Sequence, residues 1–321
     1  MTDPAVILGG LAPALLQVVV VLALAPLLLG ITKRTKARLQ YRRGAPILQP
    51  YRDLAKWWGK EAVESEAAGP LTSIAPPLLL AAVLVALLLV PMVGQRPPLD
   101  GWGDVIVVIG LMALGRFVLA LSALDAGSAF WGMGSSREVA IATLVEPALL
   151  LALAGAVLAA GSTDLGTIAA TGAAAGRSWF TPALLLCGAA FAIVAVAETG
   201  HEPFDNPDTH LELTMVHEGM ILEATGPRLA MLTYAAELRL VLVVGLFAAA
   251  FLPAGTAADA TPLALAVAVA ALVVKLVAAA AVLGVLDATL AKLRILALPG
   301  LLWTATLLAL VGLATRIWLP A

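Results

Sequence analysis

The sequence predicts an all-α integral membrane protein of about eight transmembrane helices, with an amphipathic loop and an acidic loop on the cytoplasmic side. Three observations carry that reading: an apolar excess, a series of runs long enough to cross a bilayer, and a lopsided distribution of positive charge. Of 321 residues, 61% are hydrophobic and 12% charged, with a mean hydropathy of +1.00. A water-soluble domain carries about 45–50% apolar and ~25% charged residues. A spanning helix needs about 20 mostly apolar residues, so the chain has room for eight spans and little mass outside them. A single transmembrane domain over residues 1–321 is expected.

Apolar runs bounded by charge, Pro or Gly lie at about 5–31, 71–93, 102–124, 138–160, 180–198, 228–252, 262–286 and 295–318. Each is long enough to span, the fifth near the short end of the range. The first run lacks a basic leader and a small-residue cleavage site, so it reads as a span rather than a removed signal peptide. Nine of the 19 Lys and Arg residues fall between Lys33 and Lys60. Counting residues near helix ends, the odd-numbered connections hold fourteen cations against Arg96, Arg177 and Arg316 on the other side. The positive-inside rule then places the odd connections in the cytoplasm and both termini outside.

Several chemistries are excluded. Cys187 is the single cysteine, so there is no disulfide framework and no thiolate set for zinc or an iron–sulfur cluster. His201, His210 and His217 fall in one connection and none in a span, which rules out a transmembrane bis-histidine haem. His210 and His217 are seven apart rather than at the i, i+4 spacing of a two-histidine zinc helix, so these residues read as solvated or carboxylate-paired. The GxG fragment at 132–134 follows no strand and lacks a third glycine, so it is not a dinucleotide fingerprint. No metal or redox centre is expected on this chain.

Arg116, Glu146, Glu198, Glu237, Arg239 and Lys275 fall within the spans. A charge at membrane depth is costly, faces protein or water, and marks a candidate ion path. Thr225 is placed to cap a helix beginning at Gly226 or Pro227, with proline suited to the first turn. Run to Leu252, that helix would be about 39 Å long at ~1.5 Å per residue and would carry Glu237 and Arg239 below the surface. Burial and a neighbouring cation pull a carboxyl pKa in opposite directions, so Glu146, Glu198 and Glu237 are suited to a proton relay. The plainer reading is interhelical ion pairing.

Eight carboxylates lie from Glu198 to Glu237 inclusive. Within that stretch the spacing predicts a short helix from Pro207 to about Ala224, with Leu211, Met215, Gly219 and Leu222 on its apolar face. It should lie on the cytoplasmic surface or dock a partner. The first cytoplasmic loop mixes its cations with Tyr41, Tyr51, Trp57 and Trp58, as an interface or an anionic-lipid surface would. No paired halves mark the internal repeats of a stand-alone secondary transporter, and an inert anchor would not need charges at membrane depth.

Four stretches carry a family resemblance: RRGAPILQPYRDLAK at 42–56 with Lys60 and Glu61, LDAGSAFWGMGSSRE at 124–138, AETGHEPFD at 197–205, and THLELTMVHE at 209–218. Together, and in this order, they resemble the membrane subunit shared by respiratory complex I, the NADH dehydrogenase, and membrane-bound hydrogenases. The second and fourth are more similar to formate hydrogenlyase subunit 4 and hydrogenase-4 component C. The resemblance implies a multi-pass subunit of a prokaryotic cytoplasmic (inner) membrane that seats soluble iron–sulfur and hydrogenase-like subunits and works beside antiporter-like membrane subunits. It implies no cofactor on this chain, with iron–sulfur and nickel–iron centres on the partners. Glu146, Glu198, Glu202, Asp205, Glu212 and Glu237, with Arg239 and Lys275, would form a proton-transfer funnel. Gln49, Pro50, Asp53, Lys56 and Glu61, with Asp125, Arg137 and Glu138, would form the docking surface. In the quinone-reducing branch the same cavity admits a quinone headgroup; the departures at 135–138 and 209–218 weigh against quinone here.

Overall fold

The computed structural model describes residues 4–63, 65–66, 68–206 and 215–318. The helices among them are α1 (Pro4–Leu39), α2 (Gln49–Trp58), α3 (Leu71–Leu89), α4 (Val105–Asp125), α5 (Ala129–Ala160), α6 (Leu165–Ala175), α7 (Pro182–Glu198), α8 (Gly226–Phe251), α9 (Pro262–Thr289) and α10 (Leu298–Trp318). Seven of them, α1, α3, α4, α5, α8, α9 and α10, are long and apolar enough to cross a membrane. The predicted fifth span is different in kind. Its helix, α7, has 17 residues and meets the segment Leu165–Trp179 at a bend of 118°, so an eighth span exists only as this broken pair. Separate caps explain the break: Asp164 accepts the Thr167 N–H to start α6, and Thr181 accepts the Leu184 N–H to start α7.

The chain ends of successive spans alternate. The described residues of connections 40–70, 126–128, 199–225 and 290–297 gather at one end, where Gly69 N–H donates to Asp125 O and Leu293 N–H donates to Pro203 O. At the opposite end Gly94 bridges Ala257 and Asp104 bridges Asp164. The first of these ends is the basic one. There α1 runs beyond its predicted limit, carrying Lys36 and Arg38 in its last turn, where cations suit the negative end of the helix dipole.

α8 occupies the middle, packed against α1, α2, α3, α6, α7 and α9. Phe191 of α7 stacks with Phe247 and Phe251 of α8 at centroid distances of 5.6 and 5.7 Å, a favourable tilted arrangement. Cys187 is the small packing residue expected. A Cβ on Gly155 of α5 or Gly312 of α10 would fall 2.5 or 2.6 Å from its Sγ, the close approach that small residues give membrane helices.

Two sequence expectations are corrected. Thr225 precedes α8 but does not cap it with its side chain. Its hydroxyl is already engaged, donating to Val63 O at 2.8 Å and accepting from Val63 N at 2.7 Å. This clasp seats the loop after α2 on Gly226, whose φ of +55° and approach to Glu61 O (2.6 Å from a notional Cβ) admit only glycine. The predicted helix to Ala224 is likewise absent over 215–224, which instead forms a 3-10 turn at Glu218–Met220; residues 207–214 lie outside the described residues. Met215, Val216 and Met220 are buried, so this stretch packs into the bundle instead of presenting an amphipathic face.

One buried side chain completes the end of α3. Gln17 Nε2 donates to Leu87 O and Val90 O at 3.1 and 2.8 Å, and its Oε1 accepts from Met92 N and Val93 N at 3.0 and 3.2 Å. No water is at hand in a bilayer core to replace these bonds. Gln17→Leu should therefore lower stability by on the order of 1–3 kcal/mol, read as a lower unfolding midpoint of the detergent-solubilised protein.

Candidate functional site

Three spanning helices and one loop converge on Glu198, the last residue of α7. Arg116 of α4 donates from Nη2 to Glu198 Oε1 at 2.7 Å, and Arg239 of α8 pairs through Nη2 with Oε2. The same Arg116 nitrogen lies 3.7 Å from Glu146 Oε1 of α5. Glu138, also on α5, lies 3.3 Å from His217 Nδ1, and His217 Nε2 is 3.4 Å from Arg239 Nη1. Arg116, Glu138, Glu198 and Glu237 are buried. The carboxylates of Glu138, Glu146 and Glu198 outnumber the guanidiniums of Arg116 and Arg239, an excess of negative charge that a protonated His217 would balance.

The loop reaches this centre because of Gly134. A Cβ there would lie 3.1 Å from both Val216 O and the Gly219 carbonyl carbon, so its absence lets the loop lie against α5. Arg137 then donates to Met215 O at 2.8 Å, and Asp205 Oδ2 accepts the His217 N–H at 3.0 Å.

A second tier of charge lies along 199–206. Lys292 donates to Asp205 at 2.6 Å, Lys36 of α1 stands 4.0 Å from Glu202, and His201 Nδ1 lies 2.8 Å from Asp287 of α9. Between these tiers and α2 is a cavity of about 350 Å³. Its wall includes Lys33, Pro50, Asp53, Trp57, Arg116, Glu198, His201, Asp205, His217, Glu237 and Arg239. Glu237 Oε2 is buried there without a hydrogen-bond partner among the described residues.

Most of the sequence candidates thus meet. Glu146, Glu198, Arg239 and, through the loop, Glu202 and Asp205 lie in the two tiers, and Glu237 opens on the cavity. Glu212 lies outside the described residues. Lys275 stands apart, donating to Leu252 O and Ala254 O beyond the end of α8 at 2.6 and 2.7 Å. Arg239 is removed from Leu252 by about 20 Å along the axis of that helix. Of the docking candidates, Lys56 and Glu61 are exposed, and Gln49 and Asp53 pair at 2.8 Å across one turn of α2. Pro50 is buried on the cavity wall. Asp125 accepts the Leu71 N–H at 2.8 Å to start α3, and Glu138 sits inside the charge centre. Asp287 escapes a reading of the sequence because it follows an apolar run and looks like a residue of the connection; its signal is one carboxylate at the end of a 28-residue helix. Among the described residues no group of three His, Cys, Asp or Glu side chains is arranged to hold a metal ion.

His217 lies between α7 and α8, outside the spanning helices. Burial pushes its imidazole down, but the Glu138 carboxylate beside it, by charge and hydrogen bond, outweighs that, with Arg239 opposing and Asp205 assisting; the pKa is raised. The folded state therefore favours the proton. Stability from this pairing is fully present below the unfolded value of about 6.5 and is lost as pH rises through the raised one. The unfolding midpoint in detergent should fall across that window, and His217→Gln should flatten the fall.

Comparison with known proteins places this architecture. The family described as NADH dehydrogenase matches residues 12–317. Hydrogenase-4 component C of Escherichia coli (strain K12) is 36% identical over 306 residues, 95% of each chain. Formate hydrogenlyase subunit 4 of the same organism is 36% identical over 290 residues, 90% of this chain and 93% of that one. A chain of the membrane-bound sulfane sulfur reductase, an archaeal respiratory membrane complex, superposes with a TM-score of 0.84 at 26% identity, covering 95% of this chain and 99% of its own. With its apolar helices and a match across nearly its whole length, the chain is a multi-pass membrane protein and belongs to the NADH dehydrogenase family of respiratory-complex membrane subunits.

Proposed function

We propose that this chain is the membrane-anchor and proton-coupling subunit of a hydrogenase- or formate hydrogenlyase-type redox complex, with no redox centre of its own. The observation that carries the reading is the Glu198 carboxylate held by Arg116 and Arg239 beside a cavity that reaches the basic end. An anchor alone has no use for such a centre, because each buried charge raises the cost of folding in a membrane. The basic end faces the cytoplasm, with both termini outside, and soluble iron–sulfur and nickel–iron hydrogenase-like subunits seat on α2 and the loops around it. Antiporter-like membrane subunits take up the coupled ion movement laterally.

In this mechanism a change of charge on a partner's redox centre alters the field at the cavity, and the carboxylates answer by binding or releasing protons. Water in the cavity links Glu237 to Glu198 and Asp205, and the arginines hold the negative charge in place between transfers. A quinone headgroup is the alternative occupant of the same 350 Å³. Purification of the intact complex separates the two: iron with nickel among the partners supports the hydrogenase reading, and iron without nickel supports a quinone or other acceptor.

Glu198→Gln removes the charge shared by the buried Arg116 and the part-buried Arg239, at a cost of about 3–5 kcal/mol, so it should reduce assembly of the complex. Glu237→Gln removes a carboxyl whose Oε2 has no partner among the described residues, and the complex should assemble normally. Its rate of proton movement, measured in proteoliposomes, should fall roughly 100-fold. Unchanged proton movement in Glu237→Gln would overturn the relay.

A further inference from the structure

Building on the proton-coupling reading, we propose that His201, oriented by Asp287, is a further proton-exchange residue on the cavity wall and links the cavity to α9. The pair is built for a single tautomer. His201 is 6% exposed and Asp287 5%, and Nδ1 stands 2.8 Å from Asp287 Oδ2. An ionised carboxylate only accepts hydrogen bonds, so Nδ1 carries the proton and Nε2 is the ring nitrogen left to accept one. Asp287 is itself fixed, since its Oδ1 accepts the Glu202 N–H at 3.1 Å. His201 lines the same cavity as Glu198, Asp205, Glu237 and Arg239.

A carboxylate on one imidazole nitrogen of a residue that lines a cavity is the arrangement of an oriented general base. Nε2 takes a proton from cavity water, the imidazolium is balanced by Asp287, and the proton returns to the water that bathes Glu198 and Asp205. No electron moves and no bond other than N–H and O–H changes. The charges around the pair belong to four segments: Asp287 on α9, Lys36 on α1, Glu202 and Asp205 in the 199–206 loop, and Lys292, the partner of Asp205, in the connection after α9. Protonation of His201 therefore alters the charge balance at the contact between loop and α9, a helix whose described residues add no group to the Glu198 centre.

A merely structural tie between loop and helix would need the hydrogen bond but not the titration. The test uses the intact complex in proteoliposomes, with the rate of proton movement measured from about pH 6 to 9, for His201→Gln, His201→Ala and Asp287→Asn. His201→Gln keeps a side-chain donor for Asp287. It should assemble and move protons roughly 100-fold more slowly, as should Asp287→Asn, which favours the other tautomer. Imidazole added to His201→Ala should restore movement in proportion to its neutral form. His201→Gln with the wild-type rate and pH profile would overturn the proposal, and so would an assembled His201→Ala that imidazole does not relieve. If Glu237→Gln is defective while His201→Gln is normal, only this residue's role fails; if Glu237→Gln is normal, the proton-coupling reading fails.

Discussion

The structure depends on one shared carboxylate. Glu198 ends α7 and is gripped on each oxygen by a different helix, α4 through Arg116 and α8 through Arg239. Neither arginine could be left in an apolar bundle without it, and the acid could not be ionised there without them. α7 is the short arm of a broken pair, with little length of its own to hold it in a bilayer. It is held by this ion pair at one end, by Phe191 packed on Phe247 and Phe251 further along, and by close packing on α5 and α10.

The loop after α7 extends the same logic sideways. Each residue pair in it ties a different element: Glu202 to α1 through Lys36, His201 to α9 through Asp287, and Asp205 to the segment after α9 through Lys292. Backbone and charge cooperate, because Asp205 also holds the His217 N–H and so joins the two halves of the acidic stretch. A paired, well-anchored rim results on one side of the cavity. The other side is α2, whose Asp53 and Trp57 share the wall. This helix is bound to the bundle less by charge than by Pro50 and by the Tyr51 hydroxyl, which donates to Ala23 O.

The spans were legible because hydropathy is a sum over some 20 residues, and single errors average out. The limits were less so. Lys33–Arg38 read as loop by charge yet continue α1, because helix geometry persists where cations suit the dipole. Glu146, Glu198, Glu237 and Arg239 could be singled out by being charged where lipid was expected. Which charges pair could not be read, since Arg116–Glu198 spans 82 positions and His201–Asp287 86, and no local pattern encodes such distances. Over 215–224 the amphipathic spacing failed for a related reason. Met215 and Gly219 are buried, but the backbone from Val216 to Met220 meets α5 at Gly134, and that contact favours an irregular path over a helix.

Glu237 differs from the other acids around the cavity. Glu138, Glu198, Glu202 and Asp205 each hold a cation or a backbone N–H that helps fix the fold, so a change in their charge disturbs the packing. Glu237 faces the cavity with Oε2 unpartnered among the described residues, and its place on α8, next but one to Arg239, turns it to a different side of the helix. Its proton can come and go without breaking an ion pair. On the proposed function this divides the work by physical necessity: the paired acids set a steady field, and an unpaired one responds to changes in it. A relay made only of tightly paired carboxylates would resist the small shifts of potential that it is meant to transmit, and one made only of unpaired carboxylates would not fold in a bilayer.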